Sequence, residues 1–333
     1  MTFELRISII ISMNTKEIIR DAWQLTQTNK GLMWTYAFIP ELISLLVGIL
    51  YLAYQFLSFW KSSLFRDYAG DSFFHEVINF SGNFISNNTS LAIVGIFIAA
   101  FIGLLYFTLP VFSKAALAQL IARKRNGQDI KIMDGVSYGF LHFLQLFEYR
   151  LLIRTFSVFG VFTELSFVVR NLGTGAFEVL LFPFILIFVV GLSLLLLFTY
   201  SEYFIIIDDK NMIQAMAASA RLVIVHWQQT FLMILLMVLI TLRILLNIIL
   251  VLLIPSIIII STGILATFAL AKVGLVIGLL IAGVGMYFSA YLGGILEVFS
   301  TAVWVSTFLE LTNEHEKTAR EAGPRDVTEP LDD

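Results

Sequence analysis

The residues of this sequence most able to do chemistry are ionisable side chains inside long apolar runs. Arg154 and Glu164 lie within one such run. Arg243 lies in another, with Asn247 one helical turn later, and Glu297 lies in the last run. A charge inside a membrane helix costs about 2.5–3.5 kcal/mol on insertion scales, so it usually has a partner or a purpose. These five residues are the candidate polar site, either as ion pairs between helices or as a path for an ion, a proton or an anionic lipid.

Patterns that would support enzyme chemistry are weak. The sequence has no HExxH, Walker or dinucleotide-binding glycine motif. It has no cysteine, which excludes thiolate catalysis and cysteine-ligated metals, and its four histidines are scattered. The net charge of −3 gives no nucleic-acid signal. We therefore predict no catalytic residue, no metal, no cofactor and no nucleic-acid partner.

The composition indicates that a lipid bilayer surrounds these residues. Hydrophobic residues make up 59% of the 333 residues and charged residues 14%, whereas a soluble domain is about a quarter charged. A transmembrane helix needs roughly 20 apolar residues. The predicted fold is therefore an all-α membrane protein with about six transmembrane helices. The predicted spans are about 31–59, 91–112, 150–169, 177–206, 228–254 and 273–311, the last long enough to tilt or to continue beyond the membrane.

The distribution of lysine and arginine predicts the orientation. With six spans, the basic connections and both termini fall on one side, which is the cytoplasmic side of a cell membrane. Residues 255–271 are either an interfacial or re-entrant piece or a seventh span, which would put the termini on opposite sides. Residues 1–12 are either a mis-assigned start or a short interfacial segment.

Three regions follow from this topology. The N-terminal region is a cytoplasmic segment that contains an interfacial helix. The transmembrane region carries one sizeable outer loop, and the polar C-terminal tail is predicted to be disordered because of its charge. Their bounds are 1–30, 31–311 (outer loop about 60–90) and 312–333.

A three-copy unit is predicted from the segments 14–34, 127–147 and 207–227. Each has two small residues four apart, then an aromatic residue eight further on, and each leads into span 1, 3 or 5. Small residues on one helix face allow another helix to approach closely, and the aromatic suits a membrane interface. The unit thus predicts a short amphipathic interfacial helix before each of these spans. The aligned positions are Ala22, Thr26 and Trp34, then Gly135, Gly139 and Phe147, then Ala215, Ser219 and Trp227.

One copy also carries a resemblance to a known family. The segment "YSEYFIIIDDKNMIQAMAASARLVIVHWQQTFLMILL" resembles the hallmark region of a bacterial and archaeal integral-membrane family. That family includes the membrane domain of certain glycerophosphoryl diester phosphodiesterases. The resemblance implies a prokaryotic membrane fold and a location, not a reaction, since no segment of this sequence could build the catalytic barrel.

The sequence favours a non-enzymatic scaffold or accessory protein of the envelope, because packing motifs are present and a catalytic constellation is not. The alternative is a transporter or channel for an ion or a small anionic or lipid-like solute, which would use the buried charges. Ion pairs in a dry interior would favour the scaffold, and a cavity reaching the charges would favour transport. The basic run Arg123, Lys124 and Arg125 is predicted to contact anionic lipid of the bilayer.

Overall fold

A computed structural model describes residues 14–60, 73–243, 246, 249 and 271–321. The regular elements of these residues are all helices, as predicted. Residues 1–12, Asn247 and nearly all of 255–271 lie outside the described residues. The helices are α1 (Asn14–Thr28), α2 (Lys30–Leu32), a π-helical segment (Met33–Ala37), α3 (Phe38–Trp60), α4 (Phe73–Asn87), α5 (Thr89–Arg125), α6 (Asp134–Thr155), α7 (Val158–Leu197), α8 (Ser201–Ile206), α9 (Met212–Val225), α10 (Trp227–Arg243) and α11 (Ala271–Glu321).

One part of the molecule is an apolar band that faces outward. On α5, most large apolar side chains between Leu91 and Phe107 are exposed. Residues 91–110 of a helix cover about 30 Å, which equals the hydrocarbon thickness of a bilayer. The band is therefore the membrane-embedded part of the protein. Its other members are exposed apolar side chains of α3 (Ile49–Leu57), α7 (Val179–Leu192), α10 (Phe231–Leu242) and α11 (Leu280–Phe288).

Beside this band lies a packed layer with a true hydrophobic core. On α5 the change from exposed to buried residues is abrupt, since every residue from Val111 to Ala122 except Phe112 is buried. Alanines at positions 115, 116, 118 and 122 bring neighbouring helices close to α5. The short helices α1, α8 and α9 supply the rest of the layer together with the ends of the long helices. Its largest fully buried side chains include Tyr36, Leu117, Ile121, Leu146, Tyr200, Ile205, Val303 and Phe308.

The small residues of the predicted repeat occupy close-packed positions. Ala22 and Ala215 are buried, and a Cβ atom added at Gly135 or Gly139 would lie 2.6 Å from a neighbouring side chain. Ser219 Oγ donates to the Leu197 carbonyl at 2.8 Å and accepts from the Tyr200 amide at 3.0 Å. Close packing at these positions is as predicted, but the three units are not confirmed as copies of one another.

The polar and aromatic residues of the three units differ in their burial and contacts. Thr26 Oγ1 donates to the Ala22 carbonyl at 2.8 Å, so its hydroxyl is satisfied within α1. Trp34 and Trp227 are exposed at 42% and 60%, as interfacial anchors would be. Phe147 is half-buried and stacks on Phe143 at 5.5 Å between ring centroids, so it serves helix packing instead.

Within the part of the chain that the structure describes, four helices are long and apolar enough to cross a membrane, and a bent pair, 212–225 with 227–243, could make a fifth. The protein is thus a membrane protein whose described residues form helices with four or five candidate spans, and the predicted count of six is not confirmed. The four match predicted spans one, two, four and six. Their bounds are Lys30–Ser58, Thr89–Arg125, Gly175–Leu197 and Ala282–Asn313.

The predicted third span, 150–169, is divided between α6 and α7. The break falls at Phe156 and Ser157, where the Ser157 side chain accepts from the Gly160 amide at 3.0 Å and caps α7. A Cβ atom at Gly191 would lie 3.0 Å from the Phe156 carbonyl oxygen. Because 33 residues of straight helix would cover about 50 Å, α7 must fold back between its start and Gly191.

Two regions predicted as irregular contain helix. The outer loop about 60–90 holds α4, whose residues Phe73, Val77, Phe80 and Phe84 recur at helical spacing. The helix α11 continues to Glu321, ten residues into the tail predicted to be disordered. The tail sequence up to Glu321 lacks a helix breaker, and Gly323–Pro324 is the first strong stop signal.

Candidate functional site

Five ionisable side chains meet where the apolar band adjoins the packed layer. They line an internal cavity of about 200 Å³, which we call the central cavity. Each comes from a different helix, so the fold and not local sequence assembles them. We call them the charge cluster. Its members are Glu41 of α3, Lys114 of α5, Arg150 of α6, Glu202 of α8 and Glu297 of α11.

Both cations of the charge cluster form ion pairs. Lys114 Nζ lies 3.0 Å from Glu297 Oε1 and donates to Thr301 Oγ1 at 2.9 Å. Arg150 donates from Nε to Glu202 Oε1 at 2.9 Å and from Nη2 to Oε2 at 3.4 Å, in the two-pronged geometry that arginine favours. Its Nη1 also donates to the Pro110 carbonyl at 3.3 Å. Two of the three carboxylates are thereby neutralised.

The remaining carboxylate, Glu41, differs from the other two. Among the described residues it makes no hydrogen bond and no ion pair. One of its oxygens would lie 3.0 Å from a Cβ atom at Gly293, so the glycine leaves the space that the carboxylate occupies. Glu41 directly follows Pro40, which lacks the backbone N–H of a regular helical turn. The charge cluster therefore holds three carboxylates against two cations.

A polar face on α3 extends from Glu41 into the apolar band. Its members are spaced three or four residues apart, so they share one side of the helix. Tyr51 and Thr163 share a hydrogen bond of 2.8 Å between their hydroxyls, and Gln55 Nε2 donates to the Tyr51 hydroxyl. The fourteen helical steps from Glu41 to Gln55 cover about 21 Å, which is most of the band. The polar face of α3 comprises Glu41, Ser44, Gly48, Tyr51 and Gln55.

Three adjoining cavities follow this polar face. The central cavity shares Ser44, Pro110 and Arg150 with a second cavity of about 310 Å³. The second shares Arg154 and two neighbours, Tyr106 and Leu151, with a third cavity of about 570 Å³. We call the three cavities the polar groove. The third cavity is also lined by Gly48, Tyr51, Thr163 and Glu164.

The predicted site residues are only partly brought together. Arg154 lies in the polar groove, with its guanidinium carbon 5.2 Å from the Phe107 ring centre and 5.7 Å from that of Tyr106. Glu164 lines the third cavity with it, but no ion pair joins them. Glu297 pairs with Lys114 and with neither of the predicted arginines.

The other predicted members lie elsewhere. Arg243 is exposed at the end of α10 and lines none of the three cavities of the polar groove. Asn247 lies outside the described residues. Sequence reasoning missed Lys114, Arg150 and Glu202 as site members, because they fall at or beyond the predicted span ends. It also missed the polar face of α3, although its three-and-four spacing is readable in the sequence.

The basic run at the end of α5 is partly engaged with the protein itself. Arg123 donates from Nε to Gln119 Oε1 at 3.2 Å, and its guanidinium lies 4.4 Å from the Tyr138 ring centre. Lys124 donates to Asn29 Oδ1. Lys124 and Arg125 are nevertheless exposed, so these two are the charges available to a lipid surface.

His142 is a titratable residue of the packed layer and lies outside the candidate spans. His142 Nδ1 is 3.4 Å from Asp209 Oδ1, and His142 Nε2 is 3.4 Å from the Gln119 amide nitrogen. Burial lowers the pKa of His142, and Asp209 acts in the opposite direction. A neutral ring that donates from Nδ1 and accepts at Nε2 satisfies both contacts. His142 is therefore a structural hydrogen-bonding group of the packed layer.

The sequence Gly135-Val136-Ser137-Tyr138-Gly139 matches the GxSxG pattern of hydrolases. In those enzymes the serine sits on a sharp turn between a strand and a helix. Here the five residues lie within α6, and both glycines pack against aromatic side chains. Ser137 is exposed on the helix surface. The pattern thus serves close helix packing and does not form a nucleophile elbow.

The described residues contain no group of three or more histidine, aspartate or glutamate side chains able to hold a metal ion. No protein-family model, no curated protein and no solved structure matches the chain. The family resemblance of the α8–α10 region therefore stays a prediction, and the function is inferred from the geometry of the site.

Proposed function

We propose that the protein is a multi-pass transporter or channel that moves a small charged solute along the polar groove. The observation that carries the proposal is the polar face of α3, which lines a chain of adjoining cavities that ends at the charge cluster. Helix packing in a membrane relies mainly on small and apolar residues with occasional hydrogen bonds between helices, whereas this face carries polar side chains at four of its five positions. Polar groups at membrane depth are costly and typically mark a solute path.

The charges along the groove support the same proposal. Arg154 lines two cavities and has no salt bridge among the described residues, and Glu164 lines the outermost of the three. A guanidinium and a carboxylate that are not paired with each other remain free to bind a passing solute. Pro40 and Pro110 line the central cavity, and such residues commonly interrupt the helices of transporters near the binding site.

A non-enzymatic scaffold or accessory protein is the second candidate. The observation that favours it is the pairing of four of the five charges in the charge cluster. Buried ion pairs of this kind hold helices in a defined arrangement without binding anything. The two candidates make different predictions, because a scaffold would move no solute along the polar groove.

We also propose the topology in which this function would operate. Six spans would place both termini and the packed layer on the cytoplasmic side of the cell membrane, since the basic segments lie there. The fold-back within α7 supports the count of six, because it supplies the turn between the third and fourth spans. Lys124 and Arg125 would then face the anionic lipid of the inner leaflet.

Flux into proteoliposomes tests the transport function. The wild type, Arg154→Gln and Arg243→Gln would be compared with protons, sodium, potassium, chloride and phosphate as probes. Arg243 is the matched control, because it is an exposed arginine of the apolar part that lies outside the groove. We expect flux of at least one probe above protein-free vesicles, lowered about tenfold in Arg154→Gln, which corresponds to about 1.4 kcal/mol. Absence of flux of every probe would contradict transport and favour the scaffold. Flux above protein-free vesicles that is equal in all three proteins would contradict a path past Arg154 along the polar groove.

A further inference from the structure

We infer that Glu41 binds one positive charge, a proton or an alkali cation, that enters the central cavity from the polar groove. This inference rests on the proposed transport function and names the ion that would drive it or be moved. It depends on the charges that line one cavity, on the contacts of Glu41 and on the position of Glu41 at the end of the polar groove.

The charges of the central cavity do not balance. Lys114 is committed to Glu297 and Thr301, and Arg150 to Glu202 and the Pro110 carbonyl. Glu41 is the third carboxylate of the same cavity and has no cation as an ion-pair partner among the described residues. A carboxylate held beside a second carboxylate in a poorly solvated site favours the uptake of a positive charge. The cavity of about 200 Å³ has room for one small ion with a few waters.

The groups that face Glu41 come from every helix around the cavity. They are Tyr36 in the π-helical segment, Lys114 on α5, Arg150 on α6, Glu202 on α8 and Glu297 on α11. The two cations already have acceptors, and the Tyr36 hydroxyl donates to the Ile132 carbonyl at 2.7 Å. An arriving cation would therefore meet Glu41 first, with the Glu297 carboxylate as a further source of oxygen ligands in the same cavity.

Glu41 is also placed where exchange is possible. It is the first member of the polar face of α3, and Ser44, one turn further on, lines both the central and the second cavity. The backbone before it is a π-helical segment followed by Pro40. Such segments are frequent at functional sites, because they interrupt the regular hydrogen bonding of a helix. An ion that moves along the groove thus reaches Glu41 without crossing the packed core.

Direct binding measurements on the purified full-length protein test this inference. Infrared difference spectra over a pH titration would detect the carbonyl stretch of a protonated carboxylic acid. Thermal unfolding in sodium, potassium and choline chloride at equal ionic strength would detect an alkali cation. We expect one of the two signals in the wild type and its loss in Glu41→Gln. Glu148→Gln is the matched control, since Glu148 is exposed on α6, and it should retain the signal.

Two further results would complete the test. Glu41→Asp keeps the carboxylate and should retain the signal with a shifted midpoint, which also covers the case in which Glu41→Gln does not fold. The inference is overturned if neither signal appears in the wild type, or if the signal persists in Glu41→Gln. Binding at Glu41 without any flux would refute the transport function but not the cation site, whereas flux without binding at Glu41 would refute only the site.

Discussion

Lys114 is the residue on which the balance of the charge cluster depends most. Its ammonium group is the ion-pair partner of Glu297, and the two side chains are 10% and 36% exposed. Removing one partner of a buried pair leaves an uncompensated charge, which costs about 3–5 kcal/mol. Arg150 plays the same part for Glu202, with two hydrogen bonds instead of one.

We expect Lys114→Met to lower the free energy of unfolding in detergent by about 3–5 kcal/mol, because Glu297 would lose its counter-ion. The double variant Lys114→Met, Glu297→Gln should recover a large part of the loss. Lys131→Met is the control, since Lys131 is exposed, and we expect little change there. A Lys114→Met protein as stable as the wild type would show that the pair contributes nothing.

Acidification should destabilise the packed layer through His142. Its pKa is lowered in the folded protein, so the unfolded chain binds more protons between that lowered pKa and about 6.5, the ordinary value. The stability is therefore fully present above about pH 6.5 and falls as the pH drops through this window. His142→Gln should flatten this part of a plot of melting temperature against pH. An unchanged slope in His142→Gln would assign the pH dependence to other groups.

The sequence revealed only part of the site at this scale. Glu297 and Arg154 were recognisable because a charge within an apolar run is costly and visible. Arg150 and Glu202 stand close to span ends, where a charge has an ordinary interfacial explanation. Their pairing depends on which helices become neighbours, and the sequence of one helix does not contain that information.

At the scale of the helix, some glycines lie at close contacts between helices and others lie where a side chain would meet no neighbour. A Cβ atom at Gly139 would lie 2.6 Å from the Phe112 ring, whereas one at Gly95 would meet nothing within 4 Å. Both glycines belong to long helices, α6 and α5. The pair therefore gives a matched comparison of the same substitution.

We expect Gly139→Ala to destabilise the protein by about 1–3 kcal/mol, because the Phe112 ring of α5 or the α6 backbone would have to shift. Gly95→Ala should be neutral or slightly stabilising, since alanine is the better helix former. Thermal unfolding of the two variants in the same detergent measures the difference. If Gly139→Ala were no less stable than Gly95→Ala, the close approach of α5 and α6 at this glycine would be refuted.

The approximate positions of the helices were predictable from the sequence, but the points where a helix breaks or folds back were not. Length and hydropathy located the regions of α3, α5 and α11, amphipathic spacing located α9, and alignment with the other two segments of the unit located α1. The fold-back in α7 was inferred in advance only as a connection between two spans. The helix α4 was missed because its apolar stripe was treated as part of a loop.

At the scale of the whole molecule, the division into an apolar band and a packed layer was not predicted. The predicted interfacial helices were expected at the membrane surface, with a small-residue face open to one neighbouring helix. Instead α1 and α9 bury one face against long helices that extend beyond the band. Core formation of this kind depends on several segments meeting at once, which no single periodicity reveals.

The orientation of the molecule can be measured because the chain has no cysteine. Single cysteines would replace Ser137, exposed in the packed layer, and Ser86, exposed on α4. We expect a membrane-impermeant maleimide to label Ser86→Cys in intact cells and Ser137→Cys only after lysis. The reverse pattern would place the packed layer and the basic segments outside.

Water accessibility along α3 tests the central claim, that a polar groove crosses the apolar band, most directly. Single cysteines at positions 44, 48 and 51 lie on the polar face, and those at 45, 49 and 52 do not. In membranes, a small hydrophilic thiol reagent should modify the first set rapidly and the second set slowly, because thiols need water to ionise. Equal and slow modification at all six positions would contradict a solute path along α3.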